Sequence, residues 1–164
     1  MESARLGVAA DTIRLAQLWE EAGAELGPQR GGALLLRSAS FPGAEGDAQA
    51  VLVVGAIDDV VVGFGFGRVD QLGTHHPAFG LERGAGGDRL GVIEVLYVEP
   101  GGRGIGVGEA MLEVMVGRFT ELGCLGFDAS ALPGNREAKA FFETQGFVTR
   151  LLVMHRPGAS AGER

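Results

Sequence analysis

Residues 92–110, VIEVLYVEPGGRGIGVGEA, constrain this chain more than any other stretch. An apolar run, Val92 to Val98, stops at Glu99 and Pro100, and Arg103, Gly104, Gly106 and Gly108 then crowd the entry to an amphipathic segment. A strand that passes through glycines into a helix start builds an anion site, because the first amide hydrogens of the helix have no internal partner and lie at its positive end. Glycines remove the side chains that would hold a phosphate away from those amides. The stretch therefore predicts a phosphate-bearing ligand.

Two nucleotide templates fit it poorly. Read as a dinucleotide loop, G-x-G-x-x-G, the count from Gly104 reaches Gly106 and then Glu109 where the third glycine belongs. An acidic residue at the expected distance exists as Asp128, which keeps a dinucleotide-binding protein as a third alternative. Against it, such a loop belongs after a first strand, whereas this one follows about four. The P-loop pattern is absent, since no Gly-Lys-Ser or Gly-Lys-Thr follows.

The pattern that fits is Arg103-x-x-Gly106-x-Gly108 preceded by Leu96-Tyr97-Val98-x-Pro100. It resembles the pyrophosphate-binding motif of the GNAT superfamily of N-acetyltransferases, which use acetyl-CoA. Asn135, Ala138, Phe141, Phe142, Glu143, Gly146 and Phe147 resemble that family's later helix and the Gly-Phe that opens its last long strand. The resemblance spans residues 92–147, and the N-terminal half carries no family signature.

The resemblance implies an α/β (α+β) single-domain acyl-CoA N-acyltransferase fold, with a mixed central sheet of six to seven strands flanked by helices. Acetyl-CoA would wedge between the fourth and fifth strands. Backbone amides of Arg103, Gly104, Ile105, Gly106, Val107 and Gly108 would surround its pyrophosphate, and backbone groups of Leu96, Tyr97 and Val98 would pair with its pantetheine arm. Asn135 matches a cofactor-contacting position and is equally a helix N-cap. Phe142 stands where family members often place a tyrosine that protonates the departing thiolate; a phenyl ring packs but donates no proton.

Glu94 is the candidate general base. Strict alternation places it with Val92, Leu96 and Val98, opposite Ile93, Val95 and Tyr97, so a carboxylate lies within an apolar strand. Burial raises a carboxylate's pKa toward neutrality, where a general base works. The competing expectation is that Glu94 faces solvent or pairs with an arginine; Asp128 is the reserve. The resulting reading is direct acetyl transfer to a primary amine, on a small molecule, a peptide N-terminus or a lysine. The alternative is a non-catalytic acyl-CoA-binding or regulatory module that kept the loop and lost its acid.

A chain of 164 residues is long enough to bury its own core as one domain, expected over residues 1–156 with a flexible tail at 157–164. The lone Cys124 forms no internal disulfide and has no clustered partners for a metal, so neither is expected. A net charge of -7 lacks the basic stripe of a nucleic-acid binder. No apolar run approaches the roughly 20 residues needed to span a bilayer. The expected setting is cytoplasmic, and a homodimer is compatible with the sequence.

In chain order, Leu6, Val8 and Ala10 alternate as a first strand, and Asp11 offers a helix N-cap. Leu15, Leu18, Trp19, Ala22 and Leu26 then recur at helical spacing, and residues 31–38 add a short helix. Ala50 to Ile57 and Val60 to Val69 read as a hairpin turning at Asp58-Asp59. Gly63, Gly65 and Gly67 leave one face of the second strand bare, favouring a closely packed helix over a ligand.

Gln71 to Arg89, with His75 and His76, is a long aperiodic loop read as a lid over the acceptor site. Met111, Val114, Met115 and Phe119 stripe a helix from Gly106 to Glu121. Cys124 to Ala131 predicts the fifth strand, Asn135 to Gln145 the last helix, and Phe147 to Met154 a final strand.

Overall fold

A computed structural model describes residues 1–38, 47–71, 89–156 and 158. The predicted lid with His75 and His76, and most of the tail, lie outside the described residues. Five strands form one sheet in the order β1-β2-β3-β4-β5. They are β1 (Glu2–Leu6), β2 (Ala50–Ile57), β3 (Val60–Gln71), β4 (Arg89–Val98) and β5 (Gly126–Ala129). Neighbours are antiparallel except β4 and β5, which are parallel. The helices are α1 (Thr12–Leu26), α2 (Gly32–Ser38), α3 (Val107–Glu121) and α4 (Arg136–Thr144).

The β2–β3 hairpin turns where Asp58 and Asp59 take φ of 46° and 68°. Two successive left-handed residues make the tight turn whose twist matches the flanking strands. The bare glycine face is filled by α3. A Cβ at Gly65 would lie 2.6 Å from Met115 Sδ, and one at Gly67 3.0 Å from Phe119 Cζ. Gly55 and Gly91 extend the strip, with Cβ positions 2.5 Å from Val107 and 2.6 Å from Phe119. The Met and Phe stripe of α3 thus sits against backbone, where larger side chains on the sheet would push the helix away.

The opposite face carries α1 and α2. Leu15, Leu18, Ala22 and Leu26 pack there with Val54, Phe64, Val95 and Tyr97. Trp19 lies against Phe64 at a ring separation of 6.0 Å, as a core anchor. Arg14 braces the start of α1 to the sheet, donating to Val61 O at 2.9 Å and to Glu99 Oε2 at 2.5 Å.

The first strand, read from Leu6, Val8 and Ala10, lies earlier, at Glu2–Leu6, and Ala9–Asp11 form a short 3-10 turn. Three further expectations need correction. The sheet has five strands among the described residues, not six to seven, because Phe147 to Met154 forms no strand. Val148, Leu152, Val153 and Met154 are each at least 75% exposed; an apolar pattern becomes a strand only where a neighbouring edge accepts its hydrogen bonds. Asp11 makes no side-chain cap on α1. Its carboxylate turns back to take both Arg5 Nη atoms at 2.7 and 2.8 Å and Val8 N at 2.8 Å.

The third correction concerns the faces of β4. Phe66 pairs with Val95 but Gly67 with Ile93, so Glu94 is the extra residue of a β-bulge. Ile93 therefore joins Leu96 and Val98 against α3, while Val95 and Tyr97 pack toward α1. Glu94 turns toward Leu26 of α1 and Leu35 of α2.

Gly67→Ala places a Cβ 2.3 Å from Val92 O, a backbone atom that cannot rotate aside. The expected loss in urea unfolding is about 1–3 kcal/mol. Gly101→Ala, with nothing within 4 Å, serves as the control and stays within about 0.5 kcal/mol.

The Arg5 hydrogen bonds hold the Asp11 carboxyl below the usual carboxylate range, against the opposing pull of burial. Stability from a lowered pKa is present above the unfolded value and lost as pH falls through the folded one. Arg5 is half exposed, so Asp11→Asn is expected to cost about 1 kcal/mol at pH 7. That difference from wild type shrinks below about pH 4 in denaturant melts.

Candidate functional site

The site follows from a strand pair that stops pairing. β4 and β5 are matched only from Leu90 with Gly126 to Ile93 with Ala129, and Ser130 N still reaches Ile93 O at 3.4 Å. β4 continues five residues further, to Val98. Glu99 N bonds Val62 O on the β3 side, so by two-residue alternation Tyr97 also turns its backbone groups to β3. Leu96 and Val98 present theirs to the gap. Of the three predicted backbone positions, two therefore face the cleft, while Tyr97 contributes its ring.

At the mouth of the gap stands the start of α3. Gly104 and Gly106 have φ of 76° and 96°, a region that side chains disfavour, and Gly106 is the N-cap. No side chain hydrogen-bonds as a cap on α3. The amides of Val107, Gly108 and Glu109 precede the first intrahelical bond, Ala110 N to Gly106 O, and have no partner within the helix. α3 is held there by the glycine strip beneath it.

Arg103 closes one side of this mouth. Its Nε donates to Val98 O at 2.7 Å, its Nη2 to Glu25 Oε2 at 2.7 Å, and its guanidinium lies 5.6 Å from the Tyr97 ring centre. Burial, then the Glu25 and Glu21 carboxylates, push the Tyr97 hydroxyl above its ordinary pKa. The Glu25 contribution was not legible in the sequence: Glu25 adjoins the core position Leu26 on α1, and helical periodicity says nothing of a partner 78 residues away.

Behind Arg103 opens a cavity of about 870 Å³. Its walls include Leu96, Tyr97, Val98, Gly104 and Gly108, the end of α1 from Glu25 to Arg30, and the start of α4. Asn135 caps α4, accepting from Ala138 N at 3.0 Å, and also lines the cavity. Phe142 is buried edge-on between Phe141 and Phe147 and lines the same cavity. Ile105 is about half exposed at the outer rim of the loop.

Glu94 occupies the inner end of the gap. It lines a small recess that shares Leu26, Leu96, Asn135, Ala138 and Phe142 with the large cavity. Its Oε1 is 3.1 Å from Arg68 Nε, and its Oε2 is buried with no hydrogen-bond partner among the described residues. Burial raises its pKa, with Arg68 opposing. The reserve, Asp128, is taken up by Arg150 Nη2 at 3.0 and 3.1 Å. Cys124 is buried, and burial pushes its thiol up, which disfavours the thiolate. Among the described residues no cluster of three or more His, Cys, Asp or Glu side chains is placed to hold a metal.

Known proteins share this fold. The chain superposes on AAC(6')-Iy in complex with the bisubstrate analogue CoA-S-monomethyl-acetylneamine, with a TM-score of 0.65, 15% identity and coverage of 98% of this chain and 99% of that one. A predicted acetyltransferase from Clostridium acetobutylicum, solved with acetyl-CoA, matches with a TM-score of 0.66 and 18% identity over 94% and 96% of the two chains. A ribosomal-protein-alanine N-acetyltransferase from Brucella melitensis biovar Abortus 2308 matches with a TM-score of 0.64 and 16% identity over 97% and 100%. No curated protein matches by sequence. The model of the acetyltransferase (GNAT) family matches residues 14–147, across both the cleft strands and the glycine loop, and the chain belongs to that family.

Proposed function

We propose that the chain binds acetyl-CoA in the gap between β4 and β5 and transfers the acetyl group directly to a primary amine. The observation that carries this reading is the uncapped start of α3 opening onto a cavity whose floor is the unpaired edge of β4. The diphosphate meets the amides between Arg103 and Gly108. An anion at such a terminus gains about 0.3–1 kcal/mol from the helix dipole alone, and its hydrogen bonds add to that. Leu96 and Val98 offer the pantetheine arm backbone donors and acceptors, as an added strand would find them. Arg103 exchanges Val98 O, and in part Glu25, for the ligand.

Glu94 acts as the general base. It takes a proton from the acceptor's ammonium; the freed amine attacks the thioester carbonyl carbon, the C–S bond breaks, and the nitrogen's second proton passes through water to the departing thiolate. Phe142 cannot supply that proton, and Tyr97, the one tyrosine, is raised in pKa beside Glu25. An amine acceptor agrees with the acetylneamine analogue bound by one relative and with the alanine acceptor in the name of another. The acceptor here is a small-molecule amine, a peptide N-terminus or a lysine side chain.

Calorimetric titration with CoA tests the binding step. Saturation at a hundred times Kd raises stability by about 2.7 kcal/mol, visible as a melting shift. Gly106→Val, which forces a branched residue to φ of 96°, is expected to abolish both signals while far-UV circular dichroism confirms the fold. No heat and no shift with the wild type sinks the proposal.

Glu94→Gln tests the chemistry. A base with a raised pKa makes kcat/KM climb with pH up to that pKa and level off above it. The variant is expected to lose this acidic limb and about 10²–10⁴ in rate, followed by thiol release across a panel of amines. Phe142 supports a second reading, a non-catalytic acyl-CoA-binding module. Binding without turnover across the panel would establish it.

A further inference from the structure

β4 spends an extra residue to place Glu94. Strict pairing would have carried its side chain to the α3 face with Leu96 and Val98; the bulge opposite Phe66 and Gly67 turns it to the α1–α2 face instead. On that face β3 presents Arg68, the next residue after Phe66 on the same side. Arg68 lies with its guanidinium 5.2 Å from the Phe66 ring centre and its Nε 3.1 Å from Glu94 Oε1. A planar cation over an aromatic face is restrained in both position and tilt. The carboxylate it holds is correspondingly restrained.

The two oxygens of Glu94 then differ. Oε1 faces Arg68, while Oε2 is buried and has no hydrogen-bond partner among the described residues. A buried carboxylate oxygen left unpaired is costly, and such a group marks a place where something else completes the site. Arg68 itself reaches a second carboxylate only loosely, Asp47 at 4.0 Å from its Nη1. The other elements around Glu94 bring Leu26, Leu35, Ser130, Asn135 and Phe142, none of them charged.

We propose that Arg68 is the positioning residue for Glu94: it fixes Oε1 and leaves Oε2 as the acceptor for the ammonium of the amine substrate. The inference rests on the reading of Glu94 as base. It adds that Arg68 opposes the effect of burial on the base. Without Arg68, burial acts unopposed and the carboxyl's pKa rises further, which leaves less of it ionised to take a proton.

The test reads Glu94 directly, by ¹³C carboxyl NMR titration, with its resonance assigned by its loss in E94Q. In R68M the Glu94 midpoint is expected to rise by about one to three pH units, the span an opposite charge at this distance controls. The acidic limb of kcat/KM, measured with acetyl-CoA and an amine from the panel, moves up by the same amount. CoA affinity by calorimetry stays unchanged, because Arg68 does not line the large cavity. R68K returns the midpoint part of the way, and R68Q supplies the same reading should R68M not fold.

An unmoved Glu94 midpoint in the charge-removed variants overturns the role of Arg68, whatever E94Q does. A midpoint that moves while E94Q keeps wild-type turnover overturns Glu94 as base and leaves the two failures distinct.

Discussion

The contact between α3 and the glycine strip governs the architecture of the site. Gly55, Gly63, Gly65, Gly67 and Gly91 bring the sheet backbone up to Val107, Met111, Met115 and Phe119. Because interiors are packed as densely as crystals, the depth at which α3 seats is set to within a fraction of an ångström. Its N-terminus is thereby fixed relative to the edge of β4. The placement of the first amides of α3 is therefore a packing property rather than a loop property.

The second constraint is the divergence of β4 from β5. Parallel pairing lasts four residues, after which β4 has no strand partner on that side among the described residues. Ordinarily such an edge is a liability that invites association. Here the end of α1, the start of α4 and the Arg103–Glu25 bridge enclose it, so it faces a bounded cavity. Arg103 occupies Val98 O in this state, which keeps one acceptor satisfied and ties the glycine loop to α1.

The elements of this fold were legible wherever local pattern and tertiary demand agreed. β2 matches its expected bounds, α1 runs from Thr12 to Leu26 as its pattern predicted, α3 starts one residue later than expected, and α4 is one residue shorter at each end. The glycine face of β3 was read correctly as a seat for a helix, because alternation gives the face and only backbone contact explains three missing side chains. Reading failed where the backbone departs from its period. The bulge at Glu94 inverts the face of Ile93, and no residue in that apolar run announces it. Residues 147–154 carry strand-forming side chains yet find no ladder, since pairing is a property of two segments and only one is visible locally.

The sequence by itself determined the glycine-rich turn into α3, the helix stripes and the presence of one carboxylate in an apolar strand, because these depend on side chains within a few residues of one another. The tertiary structure alone decided that Glu94 meets Arg68, that Arg103 meets Glu25, and that the backbone of Leu96 and Val98, not of Tyr97, faces the cleft. Those pairings join residues far apart in the chain through a bulge and a splayed edge. Their geometry exists only once α3 has been seated on the sheet and β5 has parted from β4.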